Sequence, residues 1–143
     1  MLKGITKTVS PELLKVLCEM GHGDEIVIAD GNFPSENYGK RVIRADGISG
    51  TEMLKAVLSL VPLDSYSDPN MILMRLMACD EGKIDPKIWK EYEKLANAAD
   101  ENVRIGNIDR FEFYERAKNA YAVIATGEEA VYANVIIKKG VIK

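Results

Sequence analysis

The sequence predicts an α/β protein, a three-layer α/β/α sandwich around a mostly parallel mixed sheet. Three observations carry this. Short β-rich apolar runs alternate with segments of helical periodicity through most of the 143 residues, the pattern of a sheet with crossover helices. The run from Met71 to Cys79 is apolar at every position but Arg75, as in a strand covered on both faces. Two β-rich segments close the chain with a short loop between them, which adds an antiparallel ending.

Taken in order, Ser10-Pro11-Glu12 opens the first helix with a hydroxyl cap, proline at the first helical position and an early carboxylate facing the dipole. Leu13, Leu14, Leu17 and Met20 give it an apolar face, and Gly21 is expected to take the left-handed conformation that ends it. Glu25 to Ala29 reads as a buried strand, stopped by the turn chemistry of Asp30-Gly31-Asn32-Phe33-Pro34. His22 then falls just past the helix cap and Asp30 at the strand's carboxyl end, on loops expected to be neighbours. Arg41 to Gly47 is a second strand with its turn. Ser49 and Glu52 have capping-box spacing, ahead of Met53, Leu54, Val57, Leu58 and Val61 on one helical face. Pro62 ends that helix, and residues 31–40 and 62–70 are the longest irregular stretches.

The run from Met71 to Cys79 is expected to be a central strand, in which Arg75 needs a buried partner or a subunit interface. Asp85-Pro86 starts a helix with Ile88, Trp89, Tyr92, Leu95 and Ala96 facing inward. Val103 to Ile105 reads as a strand. Asp109 and Glu112 again have capping-box spacing, opening a helix through Lys118. Tyr121 to Thr126 and Asn134 to Lys138, separated at Gly127-Glu128-Glu129, form either a terminal hairpin or two strands flanking a loop.

Composition narrows the function. With 47% hydrophobic and 29% charged residues, residues 1–143 fit a single domain. The net charge is -3 and the basic residues are scattered, so no nucleic-acid or acidic-membrane footprint is present. No run of roughly 18 apolar residues reads as a spanning helix, and no leader is visible, so a cytoplasmic protein is expected. The two cysteines, Cys18 and Cys79, sit in apolar runs and read as reduced core thiols. Phosphate-loop, dinucleotide, serine-elbow and zinc signatures are all missing from the sequence.

What chemistry remains lies at element ends. His22, the one histidine, is either an exposed loop residue or a proton carrier working near neutral pH. Asp30 is either a turn former or a carboxylate in a ligand site, since ligands of α/β sheets collect outside the strands' carboxyl ends. Arg110, in the first turn of a helix, is poorly placed against the dipole, so a surface salt bridge or a bound carboxylate or hydroxyl must account for it. Tyr132-Ala133-Asn134 brings a phenol and an amide into the last strand, as edge residues or as partners for hydroxyls.

The phrases Ser10 to Leu17, Glu19-Met20-Gly21-His22-Gly23-Asp24, Arg44-Ala45-Asp46-Gly47, Leu63-Asp64-Ser65-Tyr66, Arg110 to Ala117 and Lys138-Lys139-Gly140-Val141 together resemble the RbsD/FucU family, in its L-fucose mutarotase branch. The resemblance runs nearly end to end. It implies a cytoplasmic isomerase that interconverts the α and β anomers of a monosaccharide without cofactor or metal, in a ring-shaped homo-oligomer, commonly a decamer. Carried over by position, His22 matches the general acid, Asp30 and Arg110 bind substrate, and Tyr132, Ala133 and Asn134 form the sugar-contacting segment. In the ribose pyranase branch a histidine stands at the place of Arg110, and this chain has none to put there. The alternatives carried forward are a D-ribose pyranase and a non-catalytic sugar-binding protein.

Overall fold

A computed structural model describes all 143 residues. Helix α1 (Pro11–Glu19) begins as its sequence dictates, with the Ser10 hydroxyl accepting from the Leu13 amide at 3.1 Å. Its end differs from expectation. Met20 leaves the helix in extended backbone, and the positive φ of +86° falls on Gly23 rather than Gly21. The Gly21 amide donates instead to the Asp24 carboxylate at 2.8 Å, and the ammonium of Lys139 satisfies the last helical carbonyls of Leu17 and Met20.

The strands are β1 (Glu25–Ala29), β2 (Val42–Ala45), β3 (Met71–Met74), β4 (Ile105–Ile108), β5 (Ala122–Thr126) and β6 (Val135–Lys138). The remaining helices are α2 (Ser35–Tyr38), α3 (Gly50–Leu58), α4 (Ile88–Ala99) and α5 (Arg110–Asn119). They build one six-stranded sheet in the order β2-β5-β1-β6-β3-β4. Strand β6 alone runs against the rest, pairing antiparallel with β1 and β3. No terminal hairpin exists: β1 lies between β5 and β6, so the second expectation, two strands flanking a loop, holds.

Alternation along the strands divides the core in two. Ile26, Ile28, Met71, Leu73, Ile124, Val135 and Ile137 face α1, α3 and α4, while Val27, Ala29, Ile72, Val123 and Ile136 face α2 and α5. Each Val, Ile, Leu or Met side chain among them, fully removed from water, is worth about 1.5–3 kcal/mol. The capping box of α3 forms in full, Ser49 accepting from Glu52 and Glu52 from Ser49. That of α5 does not. The Asp109 carboxylate accepts from Arg75 at 3.0 Å and makes no cap bond.

Other expectations change as well. The run after Met71 is a strand only to Met74, it lies next to the sheet edge rather than at its centre, and Arg75 is an exposed residue bonded to Asn107 and Asp109. Residues 31–40 contain α2, and Asp85-Pro86 precedes α4 by a turn instead of starting it. Strand β4 starts where the predicted one ended, at Ile105. Cys18 and Cys79 are both exposed thiols, not core residues. No helix is long and apolar enough to cross a membrane.

Candidate functional site

Because β6 is antiparallel, its first residues lie at the carboxyl ends of its neighbours. Asp30 after β1, Met74 ending β3, Arg110 following β4 and Asn134 preceding β6 therefore meet around one open cavity of about 230 Å³, with Phe33, Met77, Asp80, Tyr114 and Tyr132 in its wall. The sheet's topology, rather than any local motif, assembles this group.

Asp30 is the fixed point, only 4% exposed. Its amide donates to the Asn134 side-chain oxygen at 2.8 Å, and the Asn134 amide nitrogen donates back to its carboxylate at 2.9 Å. The backbone amides of Asn32 and Ala133 add bonds of 3.0 and 3.2 Å. Burial pushes the Asp30 carboxyl above the usual carboxylate range, and the donors from Asn32, Ala133 and Asn134 offset part of that push. Ala133 contributes through its backbone, since its side chain is fully buried.

Tyr132 is the one non-glycine residue with positive φ, +59°, a conformation costing about 1–3 kcal/mol that the surroundings must impose. The Trp89 indole N–H holds the Tyr132 carbonyl at 2.8 Å and the Tyr92 hydroxyl holds the Ala133 carbonyl at 3.0 Å. These two aromatics of α4, read from sequence as core, thus shape the site segment. The Tyr132 hydroxyl donates to the Asp80 carboxylate and accepts from the Met77 amide at 3.3 Å. Burial, and then the Asp80 carboxylate, hold its proton above the ordinary phenol range.

Arg110 has no salt bridge. Its Nε donates to the Tyr114 hydroxyl at 2.8 Å and one Nη to the Met77 sulfur at 3.4 Å, which leaves other guanidinium donors for a ligand. Phe111 and Val131, exposed large apolar residues, stand beside this mouth.

His22 lies elsewhere. It precedes β1 and Asp30 follows it, so the five residues of that strand separate them by about 16 Å or more. The expectation of neighbouring loops is wrong because a strand delivers its two flanks to opposite ends of the sheet. What faces His22 is Asp64, 2% exposed, whose Oδ1 lies 3.0 Å from Nε2. The Ser67 hydroxyl, His22 and the Tyr66 amide bring the Asp64 carboxyl down to about 2. An ionised carboxylate only accepts, so the imidazole donates through Nε2 and presents Nδ1 outward. The loop carrying Asp64 is fastened to β6: the Asp64 amide donates to the Lys138 carbonyl at 3.1 Å, and a Cβ on Gly140 would come within 2.4 Å of the Leu63 oxygen. The Tyr66 ring, 69% exposed, stands 5.6 Å from the imidazole.

Of the residues singled out from sequence, Asp30, Arg110, Tyr132 and Asn134 line one cavity, and His22 stands apart from them. Sequence reasoning missed the partners Asp64 and Asp80. Asp64 stood inside a phrase that carried the resemblance, and Asp80 gave no local signal.

The candidate site is thus a cavity with polar and aromatic walls at the carboxyl ends of the strands of an α/β sandwich. The chain belongs to the RbsD / FucU transport protein family, matched over residues 3–142. It is 52% identical to a fucose mutarotase of Mus musculus, over 97% of this chain and 94% of that one. Among solved structures it is similar to FucU from Bifidobacterium longum, with 54% identity, a TM-score of 0.94 and coverage of 99% and 100% of the two chains. It is also similar to the fucose mutarotase of Streptococcus pneumoniae in complex with L-fucose, with 47% identity, a TM-score of 0.92 and the same coverage.

Proposed function

We propose that this protein is an L-fucose mutarotase, an isomerase that exchanges the α and β anomers by opening and reclosing the hemiacetal ring, with residues 1–143 as one cytoplasmic mutarotase domain. The observation that carries the reading is the cavity itself. A buried carboxylate, an amide, a phenol and an unpaired guanidinium line one small space, which is the donor and acceptor set that a pyranose demands. The relatives named fucose mutarotase supply the reaction class.

Ring opening moves one proton off the anomeric hydroxyl and one onto the ring oxygen, and closure reverses both. Asp30, Asn134 and Arg110 would fix hydroxyls in register. His22 would exchange the ring-oxygen proton through Nδ1, with ionised Asp64 fixing the tautomer and stabilising the imidazolium. Tyr132 would serve the anomeric hydroxyl. Proton transfers of this kind are worth about 10²–10⁴ in rate.

One chain cannot bring His22 to its own cavity, so the reading requires assembly. The cavity mouth is flanked by exposed Phe111 and Val131, and the His22 end by exposed Tyr66, Val141 and Ile142. Two different apolar surfaces at opposite ends suit a head-to-tail contact, the kind that builds a ring when its rotation closes. His22 of one copy then serves the cavity of the next, in a homo-oligomeric ring such as a decamer.

Saturation-difference NMR on L-fucose, D-ribose and D-galactose tests this. Anomer exchange of fucose well above the buffer rate is expected, falling about 10²-fold or more in His22→Ala. Exchange at the buffer rate for fucose refutes the reading, and faster pyranose–furanose exchange of ribose replaces it with a ribose pyranase.

A further inference from the structure

We propose that Asp80 is a positioning residue for Tyr132, holding the phenol in place and taking up its proton as the phenol oxygen receives one from the anomeric hydroxyl. The inference rests on the mutarotase reading and assigns a role to a residue that reading leaves idle.

The geometry is specific. The phenol oxygen of Tyr132 has one proton and two lone pairs. The proton goes to Asp80 and one lone pair accepts from the Met77 amide at 3.3 Å. A single acceptor position is left, on an oxygen that lines the same cavity as Asp30 and Arg110. Tyr132 so arranged is a poor proton donor to a ligand, because its hydrogen is committed, and a good acceptor from one.

Asp80 is arranged to draw that hydrogen. It forms no ion pair. Its side chain makes one hydrogen bond within the chain, to Tyr132. Its backbone is fixed in the turn after β3, the amide donating to the Met77 carbonyl at 2.9 Å and the carbonyl accepting from Lys83 at 3.0 Å and Ile84 at 3.1 Å. The tyrosine in turn is pinned by its positive φ and by Trp89. Both partners are therefore held by backbone contacts independent of the bond between them.

The exchange balances. As the ring opens, the anomeric O–H proton passes to the Tyr132 oxygen, the Tyr132 proton passes to the Asp80 carboxylate, and the C1–O5 bond breaks with its electron pair and the Nδ1 proton of a His22 imidazolium going to O5, which leaves the imidazole neutral with its Nε2 proton still donated to Asp64. On closure over the other face O5 returns its proton to His22, Asp80 returns its proton to Tyr132, and Tyr132 reprotonates O1. No free phenolate forms, which agrees with a phenol proton held tightly by burial and by the neighbouring carboxylate.

The test uses full-length oligomeric protein and fucose exchange by NMR over a range of sugar concentrations. Asp80→Asn keeps an acceptor for the phenol but removes the charge and the proton site. It is expected to lower kcat about ten- to a hundredfold with KM within about threefold. Tyr132→Phe loses a similar factor, and the double variant is no slower than Tyr132→Phe alone, because the two residues act as a unit. Asp80→Glu restores part of the loss. Should Asp80→Asn fold poorly, Asp80→Ser, which also accepts without charge, repeats the measurement. An uncharged Asp80 variant that keeps kcat, or a double variant whose losses multiply, overturns the inference while the wild-type rate leaves the mutarotase reading standing. A wild-type protein without fucose exchange ends both.

Discussion

A cavity that takes its imidazole from a neighbouring copy can be rebuilt from two inactive chains. His22→Ala leaves Asp30, Arg110, Tyr132 and Asn134 intact around the cavity, and Tyr132→Phe leaves the His22–Asp64 pair intact at the far end of β1. If the site is shared as proposed, each functional site needs an unmutated His22 from one chain and an unmutated Tyr132 from the next. In randomly mixed oligomers with a fraction f of one variant, the fraction of complete sites is f(1−f), so equal amounts give about one quarter of the wild-type rate. His22→Ala alone should run about 10²-fold or more below wild type and Tyr132→Phe about ten- to a hundredfold, so the recovered quarter stands above the background of either. The assay is co-expression with two different affinity tags, purification through both, and fucose exchange by NMR across several input ratios. A symmetric curve peaking at equal input is expected. Mixed oligomers with no more activity than the average of the two variants would refute the shared site, and with it the assignment of His22.

Two further outcomes follow from the packing. The Asp64 carboxyl is lowered to about 2 by Ser67, His22 and the Tyr66 amide, below its unfolded value of about 3.9. Its contribution to stability is therefore fully present above about pH 4 and lost as the pH falls toward 2. Asp64→Asn should melt lower than wild type at pH 6, with the gap closing in thermal scans taken down to pH 2, and should lose about tenfold or more in exchange rate as the imidazole loses its orienting anion. A gap that widens on acidification would contradict this. Gly140→Ala places a methyl within 2.4 Å of the Leu63 oxygen and 2.8 Å of the Asp64 Cα. Overpacking against backbone costs about 1–3 kcal/mol, so both melting temperature and activity should fall, and an unchanged pair of values would show that this approach does not position Asp64.

How much was readable in advance varies by residue. The hydroxyl caps at Ser10 and Ser49 act within four residues of chain, and both formed as their spacing requires. The Asp109 cap, equally well spelled, failed because Arg75 on another element took its carboxylate. Trp89 and Tyr92 looked like core from their helical spacing and are indeed inward-facing, yet their polar ends grip Tyr132 and Ala133. Periodicity reports which face is apolar and says nothing of where an indole N–H or a phenol finds its acceptor. Cys18 and Cys79 came out exposed because an apolar neighbourhood along the chain is not an apolar neighbourhood in space.

By itself, then, the sequence determined the kind and order of most elements, a mostly parallel sheet with an antiparallel ending, and the wording that marks the family. Those features depend on interactions between residues a few positions apart. Only the tertiary structure decided that β6 slots between β1 and β3, which carries Asn134 to Asp30 across 104 positions of chain, and that His22 rests on Asp64 at the other end of the sheet. A strand is a nearly straight rod, so the groups at its two ends diverge however close they stand in sequence; long-range pairing then chooses their companions, and no local rule encodes that choice.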